Sequence, residues 1–91
     1  MNTITKFYID GCFHCKHIEN TFKEIAEEYK GKARFNNLKV NYPEQEKEYN
    51  LTIYPTVIVF EKNGEELDRI EGIIPPESLK KFVEKGVTLT L

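Results

Sequence analysis

Cys12 and Cys15 are the only two cysteines in the chain, and Phe13 and His14 stand between them. Two thiols at this spacing can close a small disulfide ring: one attacks a disulfide, and the other releases the product from the mixed disulfide. Zinc ribbons use the same spacing, but they need two more ligands and no second C-x-x-C pair follows. His14 and His17 complete a four-ligand set only on paper. All four residues fall at one helix start, where their side chains diverge too far to enclose one tetrahedral ion, so no metal is expected. Haem attachment would need histidine where Lys16 stands. His17 reads as a solvent-facing helix residue and is left outside the candidate site.

The surrounding sequence must position that pair. Ile4 to Ile9 is a β-prone run ended by the turn-forming pair Asp10-Gly11. From Phe13 onward, Ile18, Phe22, Ile25, Ala26 and Tyr29 line one face of a helix, and Gly31 is expected to stop it. Charged residues from Lys16 to Lys30 fill the opposite, solvated face. Arg34 to Val40 reads as a second strand and Pro43 to Tyr49 as a short acidic helix with proline in its first turn. Thr56 to Phe60 is an apolar run of the kind buried on both faces. Lys62-Asn63-Gly64 then signals a hairpin into Glu65 to Glu71. Pro75 and Pro76 open a last helix carrying Leu79, Phe82 and Val83, with Gly86 expected to close it. The order is βαβαββα, an α/β arrangement. Its first strand–helix–strand unit demands a parallel pair and its hairpin an antiparallel one, which gives a mixed four-stranded sheet flanked by helices.

This order puts the first sulfur at a strand-to-helix junction and the second one turn further in. Free N–H groups at a helix start stabilise an anion, so Cys12 is expected to favour its thiolate and act as nucleophile, with Cys15 as resolving thiol. A protonated His14 beside them lowers the Cys12 pKa further and makes the disulfide a better oxidant.

The chain has 91 residues, 40% hydrophobic and 31% charged, which fits one small domain spanning 1–91. Its net charge of −2, without a basic run, excludes a nucleic-acid or anionic-membrane binder that works by counterion displacement. No apolar stretch is long enough for a signal peptide or a membrane span, and the two close cysteines suit a reducing compartment, so a cytoplasmic protein is expected.

Tyr54-Pro55-Thr56 stands immediately before the apolar strand, where a proline without a ladder donor fits at a strand start. Taken in order, the early strand, Cys12-Phe13-His14-Cys15, Ile53 to Phe60, the Asn-Gly hairpin and Gly72 resemble the thioredoxin family over nearly the whole chain. The resemblance implies a thioredoxin fold and a cis Tyr54–Pro55 bond beside the cysteines. It also implies that the backbone at Tyr54 holds an extended substrate in the manner of an added strand. Phe13, Tyr54, Pro55, Thr56 and Gly72 are therefore the expected substrate-binding residues, and Cys12, Cys15 and His14 the catalytic ones.

The departures from the family pattern are specific. The early position of Cys12 implies the minimal form of the fold, without an extra strand and helix before it. Gly11 replaces the tryptophan that usually precedes the first cysteine, and Lys6 stands where a buried acid is usual. A histidine between the cysteines is similar to disulfide isomerases and disulfide-forming oxidases. Arg69-Ile70-Glu71-Gly72-Ile73 lacks the Gly-Gly-Asp signature of glutaredoxins. The expectation is a monomeric, cofactor-free thiol–disulfide oxidoreductase that acts on exposed protein disulfides and is recharged by a dithiol-donating reductase. The alternatives are an oxidase or isomerase, and a module whose partner-binding groove at Tyr54-Pro55 is gated by the disulfide. The alternating tail Val87 to Leu91 reads as frayed, or else as a strand pairing with the edge at Arg34 to Val40.

Overall fold

A computed structural model describes residues 1–90. The elements run β1 (Thr3–Tyr8), α1 (Phe13–His17), α2 (Glu19–Glu28), β2 (Arg34–Lys39), α3 (Pro43–Tyr49), β3 (Thr56–Phe60), β4 (Glu66–Glu71) and α4 (Pro76–Gly86). The sheet order is β2-β1-β3-β4, with β1 parallel to β2 and antiparallel to β3, and β3 antiparallel to β4. This is the mixed four-stranded sheet expected from the element order.

The two sheet faces follow from the alternation of side chains along each strand. Ile4 of β1 and Val57 and Val59 of β3 join Ile18, Phe22 and Ile25 below α2 and Leu79 and Val83 of α4 in the larger core. Phe7 and Ile58 point the other way and join Val40 and Leu51, with Tyr49 of α3 packed against them. The Phe7 and Tyr49 rings lie 4.8 Å apart, so α3 covers the second face. β3 is buried along Thr56 to Val59, as its apolar run predicts for a strand covered on both sides.

Four local features differ from the sequence expectations. The first helix is two: Ile18, at φ −100° and ψ 1°, ends α1 and begins α2 while its own side chain is wholly buried. An apolar pattern that continues in phase across a break cannot reveal it. Gly31 does not cap α2 directly; the cap is Tyr29, and Gly31 makes the following turn at φ +85°.

Gly86 is the last residue of α4 and closes nothing by left-handed geometry. A Cβ there would sit 2.7 Å from Val59 Cγ2, so its role is to let helix and sheet approach closely. The tail up to Thr90 forms no strand and does not pair with β2. It turns back instead onto the N-terminus, where Asn2 Nδ2 donates to the carbonyls of Gly86 at 2.8 Å and Leu89 at 2.7 Å. Tertiary hydrogen bonds to a buried asparagine thus decide where this segment goes; Leu91 lies outside the described residues.

Candidate active site

Strand register gathers the site. Phe7 of β1 pairs with Thr56 of β3, and Thr56 pairs with Glu71 of β4. The end of β1, the start of β3 and the end of β4 therefore lie at one end of the sheet. The loops that continue from them carry Cys12, Tyr54-Pro55 and Gly72. A further tie closes this end: the Gly72 N–H donates to the Pro55 carbonyl at 2.9 Å.

The turn after β1 uses Gly11 at φ +70°, a conformation that favours glycine, and delivers Cys12 to the N-cap of α1. There the Cys15 N–H donates to Cys12 Sγ at 3.1 Å. α1 has only five residues, so its macrodipole is short, and this direct N–H contact is the specific stabilising element for charge on the sulfur. Cys12 and Cys15 are joined in a disulfide with their Cα atoms 5.2 Å apart. Cys15 is only 4% exposed, whereas Cys12 is half-buried. Phe13 projects outward at 76% exposure, with its ring edge-on to His14 at 5.4 Å and stacked with His17 at 6.5 Å. His14 is half-buried and His17 exposed.

The loop before β3 is fixed from three sides. The Tyr54–Pro55 peptide bond is cis, Pro55 is fully buried, and Thr56 Oγ1 donates to the Ile53 carbonyl at 2.6 Å. The Tyr54 hydroxyl donates to Glu46 Oε2 at 2.6 Å, reaching into α3. Burial and the adjacent Glu46 carboxylate push the Tyr54 pKa up to about 12. Gly72 holds φ +84°, and a Cβ there would meet Ile53 Cδ1 at 3.2 Å. Ile53 and Ile73 are exposed apolar side chains beside this loop.

Beneath the disulfide lies a cleft of about 180 Å³ lined by both cysteines, by Ile9, Asp10 and Gly11 of the turn, and by Lys6, Lys16, Glu19 and Asn37. Lys6 is 2% exposed, which is unusual for a residue type rarely buried without a partner. Burial lowers its pKa; Glu19 opposes that shift and Lys23 adds to it. Its Nζ lies 5.5 Å from the ring centres of Tyr8 and Phe22. Among the described residues no ion pair holds this amine, and no cluster of three His, Cys, Asp or Glu side chains could hold a metal.

Register thus brings the expected residues to one end of the sheet, with the cysteine pair on its cleft, Tyr54, Pro55 and Gly72 on the adjoining loops and Thr56 opening β3. Sequence reasoning treated Glu46 only as part of an acidic helix, and nothing in its spacing to Tyr54 marks the contact. Lys6 did carry a signal, as the single charge inside the apolar run from Ile4 to Ile9.

The Thioredoxin family model matches residues 1–85. Thioredoxin of Staphylococcus saprophyticus is 35% identical over 83 residues, covering 90% of this chain and 79% of its own. A Staphylococcus aureus thioredoxin is 34% identical with the same coverage. The chloroplastic thioredoxin M4 of Arabidopsis thaliana is 31% identical over 90% of this chain and 42% of its own. With the disulfide at the N-cap of α1 and the Tyr54-Pro55 loop at the same end of a mixed sheet, this match makes the chain a member of the thioredoxin family and a thiol–disulfide oxidoreductase.

Proposed function

We propose that this protein reduces exposed disulfides of other proteins by cycling Cys12 and Cys15 between dithiol and disulfide. The observation that supports the reading most is the asymmetry of the pair. Cys12 is half-buried, sits at the N-cap and accepts the Cys15 N–H, while Cys15 is covered. The accessible, anion-stabilised sulfur of Cys12 attacks the substrate disulfide, forming one S–S bond and expelling one substrate thiolate. Cys15 then attacks Cys12 Sγ, expelling the second thiolate. The substrate leaves as two thiols and the protein carries the disulfide, which a dithiol-donating reductase reopens. No cofactor takes part.

His14, adjacent to Cys15 and two residues from Cys12 in sequence, adds positive charge when protonated and favours the reduced form. An extended segment of the substrate lies along the backbone at Tyr54, Pro55 and Thr56 and passes Gly72, pairing as an added strand does. Exposed Phe13 offers apolar contact beside the nucleophile. The chain works as one domain and as a monomer in the cytoplasm, where a reducing pool keeps the dithiol available. Its net charge of −2 without a basic run speaks against nucleic acid or an anionic membrane surface as a partner; no described helix is long and apolar enough to cross a membrane.

Repeated reduction of insulin with dithiothreitol as electron source tests this function. Many turnovers per protein molecule are expected. A single stoichiometric reaction would replace the reductase by a redox-gated binding module.

A further inference from the structure

The cleft beneath the disulfide contains one feature that the exchange chemistry above does not use. Lys6 sits on the central strand, covered from solvent, yet it lines the same cavity as Cys12 and Cys15. Desolvation weakens its hold on a proton, so the uncharged amine is accessible nearer neutrality than for a surface lysine. Each neighbouring element contributes to its environment. From α2 come Glu19, which favours the ammonium form, and Lys23, which disfavours it. The cleft adds Lys16 from α1, Asp10 from the turn and the neutral Asn37 from β2, while Tyr8 and Phe22 present ring faces. A buried amine without an ion-pair partner, in a cleft open to solvent beside a buried thiol, has the properties of a proton acceptor for that thiol.

We propose that Lys6 is the group that takes the proton from Cys15 when the mixed disulfide is resolved. This inference rests on the oxidoreductase reading above. In the step, the Cys15 S–H proton passes to Lys6 Nζ and the resulting thiolate attacks Cys12 Sγ. The Cys12–Cys15 bond forms, the bond from Cys12 to the substrate sulfur breaks, and the departing substrate thiolate takes a proton from water. The Lys6 ammonium then loses its proton to solvent through the cleft. Electron flow is that of ordinary exchange: the protein dithiol is oxidised and the substrate disulfide reduced.

Stopped-flow mixing of the reduced protein with a chromogenic nitrothiobenzoate disulfide separates the two steps. The first release of coloured thiol reports attack by Cys12, and the second reports resolution by Cys15. In Lys6→Met, which keeps the length and apolar packing of the side chain, the second phase at neutral pH is expected to slow by roughly 10- to 100-fold. The first phase should change by no more than about twofold, a small effect beside a lost acid–base partner. Lys6→Arg retains positive charge but cannot give up its proton at this pH, and it should be as slow as Lys6→Met. A second phase unchanged in Lys6→Met, or restored by Lys6→Arg, overturns the acceptor role and leaves the oxidoreductase reading intact. Absence of the first phase in the wild type overturns both. Should either variant fail to fold, the wild-type pH profile decides. The second phase must keep rising with pH after the first has levelled off, and two profiles that level off together overturn the proposal.

Discussion

The Tyr54 hydroxyl donates a 2.6 Å hydrogen bond to Glu46 Oε2, so the loop that precedes β3 is anchored to α3 on the second face of the sheet. The same loop is tied to β4 through Gly72 N–H and the Pro55 carbonyl. Tyr54 is thus held at its side chain by one layer and followed by a residue held by another. Its backbone is thereby fixed, which would lower the ordering cost of the strand addition proposed for the substrate.

Removing the hydroxyl tests that anchor. Tyr54→Phe is expected to lose about 1 kcal/mol, the usual worth of such a hydrogen bond at a partly exposed site. The loss should depend on pH. The tyrosine pKa is raised in the folded state to about 12, so the bond's contribution is complete below the ordinary tyrosine pKa near 10 and disappears as pH climbs through the folded value. Urea unfolding of wild type and Tyr54→Phe should therefore differ at neutral pH and converge at strongly alkaline pH. A gap independent of pH would dissociate the stability effect from this hydroxyl.

The two sulfurs should separate by role. Cys15→Ser is expected to accumulate a mixed disulfide with substrate, because the resolving thiol is gone, and Cys12→Ser should accumulate none. Mass spectrometry after incubation with an oxidised protein substrate reads this directly. Turnover should fall to background in both variants. Equal trapping by both would mean that the sulfurs are interchangeable.

His14 is expected to set the redox poise. Replacing it with proline removes an imidazole that, when protonated, favours the neighbouring thiolate, so the dithiol becomes less favoured and the potential more negative. A shift on the order of 30 mV corresponds to about a tenfold change in the exchange equilibrium. Equilibration of His14→Pro and wild type with defined glutathione mixtures measures it. Identical potentials would remove His14 from the site.

Gly86 offers a packing test away from the chemistry. Alanine is ordinarily favoured over glycine in a helix, by up to about 1 kcal/mol in the interior and less at a last residue such as Gly86. Here its Cβ would come within 2.7 Å of Val59 Cγ2, so Gly86→Ala should instead destabilise by roughly 1–3 kcal/mol. Shortening the opposing side chain in Gly86→Ala/Val59→Ala should recover part of that loss, which a double-mutant cycle in urea quantifies. A stabilised Gly86→Ala would show that helix and sheet can move apart at little cost.

Much of the architecture was legible because its signals are local. The β-branched run Thr56 to Phe60, the Asn63-Gly64 turn and the apolar spacing of Leu79, Phe82 and Val83 each constrain only a few neighbouring residues, and each element formed where those residues stand. The helix break at Ile18 escaped because its side chain stays in phase with the core on both sides. Gly86 was read as a stop because sequence cannot distinguish a glycine needed for backbone rotation from one needed for its missing Cβ.

The site divides the same way. By itself the chain pointed to the chemistry: two thiols separated by Phe13 and His14 at the entrance to a helix, with no second pair to complete a zinc set, suit disulfide exchange. Only the tertiary structure decided which groups surround them, because those groups arrive from distant segments. The register of Phe7 against Thr56 and of Thr56 against Glu71 brings the loop at Tyr54 and Gly72 to the cysteines' end of the sheet. Lys6 lines the cleft of the disulfide because side chains alternate along β1 and this one faces the α1–α2 side. Glu46 reaches Tyr54 because α3 packs over the opposite face. Contacts between elements depend on how whole layers stack, and no residue spacing within one segment encodes that.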